Sequence, residues 1–138
     1  AAALLGGPFW GRFADVAAHR TMASAGFGAS ALGLAVVVLP PWLGTWGQVA
    51  FHPVAFFVLM GLHDGVRMGR KTYVVDIAGD DARTDYVSVS NTIIGALLLA
   101  SSGLGLIAQI GSAEALVAVL AACAAAGGAL ALTLEPAT

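Results

Sequence analysis

Between Thr21 and His63 the chain contains no Lys, Arg, Asp or Glu, and over all 138 residues only 10% are charged. A soluble globular domain carries about 25%. The deficit excludes an ordinary water-facing surface. With 59% hydrophobic residues and a mean hydropathy of +0.88, most of this chain has lipid as its solvent. Cysteine is nearly absent as well. Cys123 stands alone in an Ala/Gly-rich run, so no intrachain disulfide can form, and no Cys/His cluster has metal-ligand spacing. There is no basic stripe, and the formal net charge is -2, which argues against a nucleic-acid partner. Neither a phosphate loop nor a dinucleotide fingerprint occurs, so no cofactor is expected.

What remains is a pattern of long apolar runs separated by short polar breaks. Ala1 to Trp10 is apolar but shorter than the roughly 20 residues that a span needs. It also follows no signal-peptide pattern, so the sequence is expected to be a fragment that starts inside a helix. Residues 21–39 form the first full span, and Pro40-Pro41 stop it, since proline lacks a backbone donor and restricts the residue before it. Pro41 to Pro53 then reads as an outer connection with Trp42 and Trp46 at headgroup level. A second span is expected over about 53–77, opened by Pro53 in its first turn. Gly79-Asp80-Asp81 is turn chemistry. A third span covers about 86–110, and a fourth about 114–134, with Glu114 favourably placed in the first turn. The expected fold is all-α, a polytopic transmembrane bundle with inner loops at 11–20 and 78–85.

All six basic residues fall on two segments, Arg12 and Arg20 on one, Arg67, Arg70, Lys71 and Arg83 on the other. The alternate connections have none. By the positive-inside rule these two segments and the C-terminus face the cytoplasm, in a plasma membrane of bacterial inner-membrane type. Small residues at helical spacing (Ala25, Ala29 and Gly33; Ser101 and Gly105) would allow close packing, which lipid-embedded helices need. Ser101, Ser102 and Gln109 are candidates for hydrogen bonds across helices.

Gly11-Arg-Phe-Ala-Asp15-Val-Ala-Ala-His-Arg20 is the most distinctive stretch. Here the chain resembles the major facilitator superfamily, whose signature is a Gly, three residues, an Asp and then basic residues around a second Gly. Gly11, Asp15 and Arg20 stand at matching places. Val16 replaces the basic residue after Asp15, and Ala18 replaces the later Gly. The resemblance implies that the segment is a conformational latch between the eighth and ninth helices of a twelve-helix fold. It also implies that the four spans are helices nine to twelve, and that the partner is a missing N-terminal half of the same protein.

The second constellation is His63, Asp64, Arg67, Arg70 and Lys71. For a helix starting at Pro53, His63 and Asp64 lie about 15 Å deep, near the bilayer midplane. Ionisable groups there are expensive and mark interior cavities or pathways. Asp64 and Arg67 are three apart, His63 and Arg67 four apart, so each pair shares a helix face. A carboxylate, an imidazole and a guanidinium could relay protons or hold a charged substrate; a structural Asp64–Arg67 ion pair is the other reading. Arg70 and Lys71 read most simply as interfacial residues that snorkel. Asn91, an amide in the third span, is either an interhelical hydrogen-bonding group or a solute contact.

The expected function is therefore secondary active transport of a small solute by alternating access, with proton coupling as a further expectation, rather than enzymatic catalysis. The competing readings are a membrane-embedded enzyme acting on a lipid-like substrate, and a non-transporting membrane scaffold with the same fold.

Overall fold

The computed structural model describes the backbone of residues 2–136, and the side chains of all of these except 2–5, 80 and 81. Helix α1 runs Ala2–Val38, and a 3-10 turn, Pro40–Trp42, leads to α2, Thr45–Ser101. A second 3-10 turn, Ser102–Leu104, joins α2 to the short α3, Gly105–Ile110, and α4 is Ala113–Leu132. No strand occurs among the described residues. Both long helices are broken at one residue. Ala17 is extended (φ -157°, ψ 82°) and divides α1 into two arms. Gly79 has φ +60°, a left-handed conformation that glycine adopts without steric cost, and it folds α2 into a hairpin. Four segments are long and apolar enough to cross a membrane: Gly6–Val38, Thr45–Gly79, Ala82–Ile110 and Ala113–Leu132. The chain is an all-α bundle of multi-pass, integral-membrane type.

Several boundaries differ from the sequence expectation. The expected loop at 11–20 is helical apart from Ala17. Nothing between Gly11 and Val16 stops a helix, and one extended residue suffices to turn the chain. The second membrane helix begins at Thr45 rather than Pro53, with Pro53 inside it. Its start is fixed by Gln48, whose side-chain amide donates to the carbonyls of Pro40 at 2.7 Å and Leu43 at 3.1 Å, ordering the turn that precedes the helix. Ser112 caps α4, its hydroxyl accepting from the Ala115 backbone N–H at 3.2 Å.

The packing is carried by small residues. Among the described residues every buried hydrophobic residue is an alanine, and no large side chain is fully buried. Helix α1 lies at the centre, against the first arm of α2 on one side and α4 on the other. On the α4 side a Cβ added to Gly26 would lie 3.2 Å from the Ala124 carbonyl oxygen and from Gly128 Cα. On the α2 side a Cβ on Gly65 would come within 2.9 Å of Ala25 Cβ, and one on Gly69 within 2.8 Å of the Ala18 carbonyl oxygen. The expected stripe Ala25, Ala29 and Gly33 thus straddles two seams, since Gly33 faces Ala121 of α4. The arm Ala82–Ile110 packs differently. A Cβ added to Gly95, Gly103 or Gly105 would meet no other part of the bundle within 4 Å, and the hydroxyls of Ser101 and Ser102 bond back to Leu98 and Leu99 of their own helix rather than across to another. Gln109 is exposed.

Replacing Gly69 with Val should lower stability by about 1–3 kcal/mol, because the added atoms meet backbone that cannot yield. Gly61→Ala, where nothing lies within 4 Å, should leave the transition unchanged or raise it. Unfolding of the purified protein in detergent micelles, followed by circular dichroism, compares the two.

Candidate functional site

Among the described residues the one buried ionisable side chain is Asp64, 8% exposed and set on the face of α2 that meets α1. Its neighbour in sequence explains the burial. Gly65 has no side chain, so the indole of Trp10 lies against it; a Cβ there would be 2.7 Å from the ring. The same arm of α1 brings Gly6 over the carboxylate, where a Cβ would lie 3.9 Å from Asp64 Oδ2. One turn further along α2, Arg67 Nη1 donates to Asp64 Oδ1 at 3.3 Å, a long contact for a charge-assisted bond. Among the described residues, Oδ2 is buried with no hydrogen-bond partner. The Arg67 side chain remains 52% exposed, so this pair joins a buried acid to a half-exposed base.

The depth of the site follows from where the helix begins. From Trp46, 87% exposed at the other end of the arm, Asp64 is eighteen residues along, about 27 Å. The helix starts two turns before Pro53, and Asp64, nineteen residues from Thr45 and fifteen from Gly79, sits close to the middle of the segment.

The four residues proposed for one pathway separate into three places. Asp64 and Arg67 come together. His63 points elsewhere, since adjacent helical residues diverge by about 100°. It lines a groove of about 770 Å³ between α1, α2 and α4, whose walls are otherwise apolar, among them Met22, Met60, Leu120 and Leu130. Asn91 is exposed on the far arm of α2, in a groove with Arg70 and Lys71. As for the latch segment, Gly11 faces Met68 of α2, whereas Asp15 and Arg20 are exposed and, among the described residues, make no hydrogen bond or ion pair. No group of three or more His, Cys, Asp or Glu that could hold a metal ion occurs among the described residues.

Two participants were not singled out from the sequence. Trp10, which covers Asp64 and Gly65, carries no local signal, because its role arises only when the two helices meet. The other is the pair Gly65 and Gly69, which was visible; its four-residue spacing marks the face of α2 that accepts α1. Comparison with protein-family models, with curated proteins and with solved structures finds no match to this chain.

Neutralising the two partners should have unequal effects. Asp64→Asn removes a buried charge and should leave stability unchanged or higher. Arg67→Gln leaves that carboxylate unpaired and should cost about 1 kcal/mol, a figure kept small because Arg67 is half exposed. Thermal unfolding at neutral pH tests the order; equal losses in both variants would remove the burial argument.

Proposed function

We propose that this chain forms part of the second half of a secondary transporter of the major facilitator type, moving a small solute by alternating access in exchange for protons at Asp64. The observation that carries the reading is the Asp64 carboxylate, buried in a membrane-crossing helix with one oxygen unpartnered. A purely structural ion pair would satisfy both oxygens, because leaving a buried acceptor without a donor costs about 1–3 kcal/mol. A carboxylate that gains and loses a proton during a cycle must instead keep an oxygen open. Its lid is the first arm of α1, joined to the rest of that helix only through Ala17, so the cover can shift without unpacking the α1–α4 seam.

The Gly11, Asp15 and Arg20 pattern supports the same family. Under this reading the Gly79 hairpin and the C-terminus face the cytoplasm, in accord with the basic residues near that hairpin, and the membrane is a bacterial inner membrane. His63 opens onto an apolar groove, so a solute held there would be largely apolar with one hydrogen-bonding group.

The test is reconstitution of the complete transporter that contains this chain into liposomes loaded with a pH-sensitive dye, followed by imposed gradients of candidate solutes. At least one solute should drive proton movement, and Asp64→Asn should abolish that movement while solute binding survives. Proton flux that persists in Asp64→Asn would sink the assignment, as would the absence of solute-driven flux across amine, sugar and carboxylate panels.

A further inference from the structure

A second convergence of polar groups lies away from Asp64, across the α2 hairpin. Residues 70 and 90 are equally distant from residue 80, and the fold at Gly79 brings them face to face. Arg70 Nη1 donates to Ser90 Oγ at 3.0 Å. A guanidinium has five N–H donors. Among the described residues the other four have no partner, and neither does the Lys71 ammonium or the Asn91 amide. These donors line a groove of about 250 Å³ on one side of the seam, and neither Asp76 nor Asp85 lines it. The groove on the opposite side, about 520 Å³, shares Arg70 but carries the Asp85 carboxylate, which would repel an anion. The two sides therefore differ in sign.

Their height in the bundle points to the occupant. Arg70 lies twenty-four residues from Trp46, about 36 Å, and Ser90 twenty residues from Ile110, about 30 Å. The hydrocarbon core is about 30 Å thick, so both arms put these donors at its edge. Along each arm, Val74, Val75 and Val87 follow on the side towards Gly79 and wall the groove from the aqueous end. A free anion in water must pass that apolar rim. A lipid headgroup arrives sideways, from the leaflet, with the exposed Leu98, two turns beyond Asn91 on the same helix, available to its acyl chains.

We infer that the Arg70–Lys71–Asn91 groove binds the phosphodiester of an anionic phospholipid. Basic clusters between membrane helices at the headgroup level attract such lipids. The inference is independent of the transport reading, since bound lipid and proton flux are separate measurements.

The experiment is native mass spectrometry of the purified protein, titrated with phosphatidylglycerol or phosphatidylcholine. Phosphatidylglycerol should be retained in preference to phosphatidylcholine. Arg70→Gln with Lys71→Gln should weaken its binding roughly thirtyfold, and Arg70→Lys with Lys71→Arg should preserve it. Asn91→Leu, which keeps both charges, should weaken it several-fold and serves as the deciding variant should the double Gln variant lose its helical spectrum. Equal retention of the two lipids, or full retention by the Gln and Leu variants, overturns the proposal. Displacement by millimolar inorganic phosphate overturns the lipid assignment in favour of a free-anion site.

Discussion

Backbone-to-backbone approach along the two sides of α1 is the contact on which the rest of this bundle depends. In lipid, apolar side chains gain little by leaving their solvent, so helices associate through van der Waals contact and hydrogen bonds. Such contact is strongest where side chains are smallest. Gly26 and Gly128 on one side of α1, and Gly65 and Gly69 facing it from α2 on the other, let main-chain atoms touch. The large residues are left facing outward, as the exposed Phe56, Leu98 and Ile110 illustrate. This inverts the layout of a water-soluble core, where large side chains fill the middle.

The same packing creates the polar site. Gly65 admits the Trp10 indole, and that close approach closes the first arm of α1 over Asp64, the residue before it. Burial of the carboxylate is thus a consequence of a missing Cβ next door. Arg67, one turn away, reaches one oxygen but stays half in the open, so the site is asymmetric in both charge and exposure. Ala17 is the point about which the lid is connected.

The hairpin at Gly79 works by a different principle. Across its two arms Arg70 bonds Ser90, with grooves on either side instead of glycine-to-backbone seams. The arm Ala82–Ile110 is almost wholly exposed. One bundle therefore contains a tight centre, α1 with α4 and the first arm of α2, and a looser flank, the arm Ala82–Ile110.

The helical class and the number of membrane-crossing segments were legible in the sequence, because runs without charge have a single economical explanation in lipid. The break at Gly79 was legible too, since glycine followed by two aspartates is turn chemistry. The start of the second membrane helix at Thr45 was hidden, because Pro53 imitates a helix start and the Gln48 bonds that set the true one join residues across a turn. The separation of His63 from Asp64 follows from helical geometry alone, but which of them is buried depended on where Trp10 lies. The pairing of Arg70 with Ser90 likewise required the hairpin. By itself, the sequence determined that this chain lives in a membrane and where its helices can cross, since those properties are sums over local composition. Only the tertiary structure decided which charged groups are covered, paired or left open, because each of those states depends on a neighbour far away along the chain.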